Sequence, residues 1–181
     1  MKKYFILSFI AVALFACKPA QEEKKAETID FDKRLKELNI TLSAPSAPMA
    51  NYVKTVRAGN LVFTSGHGPE LPGGGRVTGT LGADLTLEQG QEAARLTGIA
   101  LLSSLKAEIG DLSKVKRIVK VLGMVQSVPE FKDQPKVINA FSDMMVAVFG
   151  EKGKHARSAV GMNALPAGMA VEIEMVVEVE Q

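Results

Sequence analysis

The residues best placed to do chemistry lie in the last quarter of the chain. His155-Ala156-Arg157-Ser158 is followed by Leu165-Pro166-Ala167-Gly168 and then by Val171-Glu172-Ile173-Glu174. The pattern predicts an arginine just before a strand, a Pro/Gly turn, and a glutamate inside the next strand. A guanidinium can hold a small carboxylate by two parallel hydrogen bonds. A strand glutamate near it can position or activate a water. On spacing alone, an interface salt bridge is the better reading of Arg157. Glu172 likewise fits a solvated row with Glu174, Glu178 and Glu180.

Other candidates are weaker. The histidines are His67 and His155 only, each in a loop-like context, and neither is given a proton-transfer role. Ser65 has no His/Asp partners at a recognisable spacing, so a serine triad is not supported. The run His67 to Arg76 is glycine-rich but lacks the Gly-Lys-Ser/Thr ending of a phosphate-binding loop, and it reads as a flexible connection. Lys114, Lys116, Arg117 and Lys120 form a basic cluster without interleaved aromatics, which reads as a solvated strand end. No Cys/His cluster exists, so no metal site is expected.

The elements that must position these residues follow from periodicity. Phe31, Leu35 and Leu38 predict a short helix over 32–38, and 43–48 should be extended. Tyr52, Val53 and Val56 predict a first strand. Ala58-Gly59-Asn60 is a turn, and Leu61 to Ser65 a second strand, giving a hairpin. A short strand is possible around Arg76 to Thr78. Thr86 and Gln89 fit a capping box ahead of a helix that runs to about Ile109, with Ala94, Gly98, Leu101 and Leu105 on its packing face. Val115 to Val125 predicts a central strand. Gln134 to Phe149 predicts a second long helix with Asp133 as N-cap and Val137, Phe141, Met144 and Val148 as its buried stripe. Two strands, 158–164 and 170–179, complete an α+β layer: one mixed sheet with two helices on one face. The last strand alternates strictly, with Val171, Ile173, Met175, Val177 and Val179 toward the helices.

The chain of 181 residues is long enough for one domain with a real core. Lys2 and Lys3, the apolar run Tyr4 to Phe15, and Leu14-Phe15-Ala16-Cys17 predict a lipoprotein export signal over 1–17, with Cys17 as the lipidated residue. A plain secretory signal with an incidental cysteine is the alternative. Residues 18–30 are charged and poor in apolar anchors, as a tether would be, and 31–181 form the domain. The expected location is the cell envelope, lipid-anchored at the inner or outer membrane, with the domain periplasmic or extracellular. Without Lys2 and Lys3, of the 22 basic residues 20 remain, against 20 acidic ones, so no general attraction to nucleic acid is expected.

Several words in this order carry a family resemblance: Asn51-Tyr52-Val53, Gly59-Asn60-Leu61-Val62-Phe63-Thr64-Ser65-Gly66, Val137-Ile138-Asn139, His155-Ala156-Arg157-Ser158, Leu165-Pro166 and Val171-Glu172-Ile173-Glu174. From about Leu38 to Val179 the chain resembles the RidA family of enamine and imine deaminases. The phrase Asp133 to Asn139 and the long loop over 67–83 resemble a longer branch that carries an endoribonuclease label. The resemblance implies a chorismate-mutase-like β-β-α-β-α-β-β fold in a homotrimer packed around a central barrel, with ligand clefts between subunits. It implies hydrolysis of small 2-imino acids to 2-oxo acids and ammonia, without metal or organic cofactor. Arg157 would clamp the substrate carboxylate and Glu172 would hold the attacking water. Tyr52 would close the cleft, Ser65 and the Gly66 backbone would contact the ligand, and Asn139 would shape the site. Ala159 stands where many catalytic members have cysteine, and His67 where glutamine is common. Non-catalytic binding of a small carboxylate and, behind it, ribonuclease activity are the alternatives.

Overall fold

The structure, a computed structural model, describes residues 29–48 and 50–181. The expected signal, Cys17 and most of the expected tether lie outside the described residues. The elements are α1 (Phe31–Glu37), β1 (Thr55–Ala58), β2 (Leu61–Thr64), α2 (Leu87–Ile109), β3 (Val115–Gln126), α3 (Gln134–Phe149), β4 (Ala156–Met162) and β5 (Val171–Val179). They build one five-stranded sheet in the order β1-β2-β5-β3-β4. β3 and β4 are parallel, and the other neighbours are antiparallel. This is the expected mixed α+β layer.

The last strand sits in the middle of the sheet because its two faces differ. Val171, Ile173, Val177 and Val179 are fully buried and Met175 nearly so, whereas Glu174 is exposed and Glu172 and Glu178 are half-buried. The apolar face packs under α2 and α3 against Leu101, Leu105, Phe141 and Val148. Removing such side chains from water supplies most of the folding drive, about 25 cal/mol per Å² of apolar surface. The short α1 closes one end through Phe31, whose ring centroid lies 5.5 Å from that of Phe149.

Helix starts follow the expected chemistry with one exception. Thr86 Oγ1 accepts from the Gln89 N–H at 3.3 Å, and Gln89 Oε1 accepts from the Thr86 N–H at 2.8 Å, so the capping box forms. Asp133 does stand at the N-cap of α3, but its side chain makes no cap hydrogen bond. It is drawn instead into an ion pair with Lys136 at 3.0 Å.

Two boundaries and one loop differ from the sequence expectation. β1 begins at Thr55, so Tyr52 and Val53 precede it and are exposed. β4 begins at Ala156, so Arg157 lies inside the strand rather than before it, because the parallel ladder already pairs Lys120 with Ala156 and Val121 with Arg157. The glycine-rich run is not a loose connection. Isolated bridges pair Glu70 with Arg76, Thr78 with Met169, and Leu81 with Leu85 and Ser127. These stitch it to the ends of β3 and β5.

Candidate active site

A register slip builds the first half of the site. β2 pairs with β5 as far as Phe63↔Val176, yet the next bridge is His67↔Ile173. Four steps along one strand therefore match three along the other, which is a β-bulge at Ser65-Gly66. Thr64 Oγ1 accepts from the Met175 N–H at 2.9 Å. The bulge sets Gly66 against the outward side chain of Glu172. A methyl group added at Gly66 would overlap Glu172 Oε1 where it stands, so the carboxylate packs directly on the glycine.

Glu172 is half-buried. Burial, and then the neighbouring Glu174, push its carboxyl above the usual carboxylate range. Among the described residues it has no ion-pair partner. It opens into a cleft of about 1260 Å³ that also takes in Tyr52, Ser65, Gly66, His67 and the α2 stretch from Arg95 to Ser104. The glycine-rich run forms another wall, so the long loop does shape this cleft.

Ser65 donates to the Val53 carbonyl at 2.6 Å, a bond that ties the Tyr52 segment to the bulge and leaves the hydroxyl without a base. His67 is buried. Its Nδ1–H donates to the Ser65 carbonyl at 2.7 Å, and Nε2 accepts from the Ser104 hydroxyl at 2.7 Å. Burial lowers its pKa despite the Ser65 bond, so it is neutral and structural in this setting.

The second half of the site lies elsewhere. Arg157 Nη1 donates to Asn139 Oδ1 and to Ser142 Oγ, each at 3.0 Å, and Nη2 reaches the Pro135 carbonyl at 3.5 Å. Pro135, Asn139 and Ser142 repeat at helical spacing, so one face of α3 presents all three. Asn139, expected to shape the cleft, instead holds the Arg157 guanidinium. Ser142 was not picked out by the sequence reading, although its place three residues after Asn139 was the available signal.

Arg157 and Glu172 are not neighbours within one chain. Arg157 pairs with Val121 and, across β3, with the buried Met175, which puts it on the helix face. Glu172 pairs with Met124 and points to the other face. The cleft that holds Glu172 contains neither Arg157 nor Asn139. Within a protomer the two residues stand apart because the strand that carries Arg157 lies two places from β5 and presents the opposite parity.

The fold recurs in known proteins. The model of a family described as "YjgF/chorismate mutase-like, putative endoribonuclease" matches residues 32–178. The chain belongs to this family. It is 46% identical over 145 residues to Protein TCP17 of Trypanosoma cruzi, covering 80% of this chain and 91% of that one. A crystal structure of a protein of unknown function from Agrobacterium tumefaciens is 44% identical, with a TM-score of 0.78 over 83% of this chain and 92% of that one. The structure of TdcF from E. coli with bound serine is 25% identical, with a TM-score of 0.52 over 76% of this chain and 94% of that one. The fold of this YjgF/RidA-family domain is the chorismate-mutase-like one. Among its described residues no group of three His, Cys, Asp or Glu side chains is placed to hold a metal ion.

Proposed function

We propose that the protein hydrolyses small 2-imino acids and their enamine tautomers to 2-oxo acids and ammonia. The observation that carries this reading is Glu172: a half-buried, unpaired carboxylate held against Gly66 at a bulge, inside a cleft. In the reaction Glu172 takes a proton from a water as the oxygen bonds to the imine carbon, giving a carbinolamine. It then gives that proton to the amine nitrogen and, as the C–N bond breaks, takes the proton of the new hydroxyl, so ammonia leaves, the carbonyl forms and the remaining proton passes from Glu172 to solvent. An iminium carbon is already electrophilic, so positioning supplies most of the acceleration. Arg157 Nη1 is occupied by Asn139 and Ser142 and one Nη2 hydrogen by the Pro135 carbonyl, which leaves Nε–H and the second Nη2 hydrogen to grip the substrate carboxylate side-on.

Because Arg157 and Glu172 face opposite ways, the reading requires a second copy of the chain to complete each cleft. The outward face of the sheet supports such an assembly. It exposes Val56, Phe63, Val160 and Met162, apolar residues that association would cover. A trimer with three composite clefts is the arrangement we propose. Binding of a small carboxylate without turnover is the second reading, favoured by Ala159 and by the serine held in the TdcF structure. Ribonuclease activity, the family label, is the third reading, because the basic cluster Lys114, Lys116, Arg117 and Lys120 carries no interleaved aromatics for base stacking.

The deciding experiment generates 2-aminoacrylate in situ with the purified protein and follows oxo acid formation. Acceleration is expected, and Arg157→Ala should lower kcat/KM about fiftyfold, the worth of one bidentate charged contact. A folded protein that gives no acceleration sinks the hydrolase reading for this substrate and leaves carboxylate binding.

We also propose that Cys17 is lipidated and anchors the domain at the cell envelope through residues 18–30. In a membrane fractionation, Cys17→Ser should move the protein from the pellet to the soluble fraction. A variant that stays in the pellet would argue against the anchor.

A further inference from the structure

We infer that Ser142 and His155 form a positioning arm that presets the Arg157 guanidinium. The inference rests on the proposed function only in taking Arg157 as the carboxylate clamp.

The arm starts at Gly153, in the 3-10 turn between α3 and β4. Gly153 is packed so closely on α3 that a Cβ there would overlap the Met145 carbonyl, which leaves its own carbonyl little freedom. That carbonyl lies 2.6 Å from His155 Nδ1. A carbonyl only accepts, so Nδ1 carries the hydrogen. In the neutral ring Nε2 is then bare. Ser142 Oγ lies 3.1 Å from Nε2, so the hydroxyl donates to the ring. With its hydrogen committed there, the serine oxygen turns its lone pairs toward Arg157 Nη1 at 3.0 Å. Asn139 takes the other hydrogen of Nη1.

Each link orients the next. Without the imidazole, a helical serine hydroxyl is free to turn back to the carbonyl four residues earlier, and its lone pairs leave the guanidinium. The ring is itself held: Phe141 meets it edge-on, with centroids 6.0 Å apart. Burial, and more weakly the Arg157 charge, keep the imidazole neutral despite the Gly153 bond, as the acceptor role of Nε2 requires. Among the described residues Arg157 is the charged group that acts on the ring. α3 presents Phe141 and Ser142 to it, and the turn presents the Gly153 carbonyl.

The test compares the full chain with Ser142→Ala, His155→Ala, His155→Gln and Arg157→Ala. Turnover of 2-aminoacrylate gives KM and kcat, calorimetric titration with 2-oxobutyrate gives Kd, and thermal melting checks the fold. Ser142→Ala and His155→Ala should raise KM and Kd about tenfold with kcat within about twofold, the signature of a lost charged hydrogen bond used equally in ground and transition states. His155→Gln should recover most of the loss, because its amide oxygen can accept the Ser142 hydrogen. Three results would overturn the arm: unchanged KM and Kd in Ser142→Ala, a fall in kcat alone, or a glutamine variant as weak as alanine. If Arg157→Ala leaves 2-oxobutyrate binding intact, the clamp falls and takes the arm with it. If no variant or wild type turns over substrate but Arg157→Ala weakens binding, the hydrolase reading fails and the Kd series alone decides the arm.

Discussion

Replacing Glu172 by glutamine is expected to lower kcat for imine hydrolysis about a thousandfold while KM stays within about twofold. The amide is nearly isosteric, fits the same space beside Gly66, and cannot take a proton from water. The substrate carboxylate is gripped by Arg157 from the other half-site, so ground-state binding should survive. The same variant should be more stable than the parent at neutral pH. Burial raises the Glu172 pKa above its ordinary value of 4.5. A raised carboxyl favours the folded state while protonated, and that contribution is lost as pH rises through the folded pKa. At neutral pH the parent therefore carries an ionised, partly desolvated group that glutamine removes. Melting temperatures across pH should show the variant ahead at neutral pH, with the two curves converging below the ordinary carboxylate value. A variant that keeps full kcat would remove Glu172 from the reaction. One that is inactive and also less stable at neutral pH would show that the side chain serves the fold.

Gly153→Ala should destabilise the domain by about 3 kcal/mol. Gly153 does not adopt a left-handed backbone, so the cause is not conformational freedom. It is space: the added methyl meets the α3 backbone at Met145 and Val146, which cannot rotate aside as a side chain can. Either the turn moves off the helix, opening the contact that buries Met145, or the helix end unwinds. Urea denaturation of the two proteins measures the difference. A loss under about 1 kcal/mol would mean that the turn shifts freely, and the Gly153 carbonyl could then not hold the His155 ring.

Much of the fold was legible because it is written in local periodicity. The Thr86/Gln89 pair announces α2, and the alternation from Val171 to Val179 announces a strand buried on one face. What escaped depends on pairing between distant segments. Tyr52 and Val53 have strong strand preference but no ladder. Ser65 N–H still bonds to the Lys54 carbonyl at 2.9 Å, after which the bulge carries the β2 chain toward β5 and away from β1. A bulge is one extra residue in a register, and Gly66 by itself does not distinguish a bulge from the turn that ends a strand. The parity of Arg157 is hidden in the same way. Whether it faces the helices or the solvent is set by its match to Val121 in a parallel ladder, not by its neighbours in sequence. The site residues could thus be named singly from the family words, while their division between two faces could not. His67 shows the converse: an isolated histidine in a glycine-rich run is a buried hydrogen-bonding residue once Ser104 supplies the partner.

The strand order has a consequence for the birth of the molecule. β5 lies between β2 and β3, so the hairpin made early in the chain and the βαβ unit made later have no shared edge until the last strand arrives. While the ribosome is still working, both pieces hold open edges and uncovered apolar faces. The core can close only after residues 171–179 join the sheet, so no earlier stretch of the chain can complete this domain by itself. Truncation before Val171 would remove the central strand and leave two pieces of sheet with no strand between them.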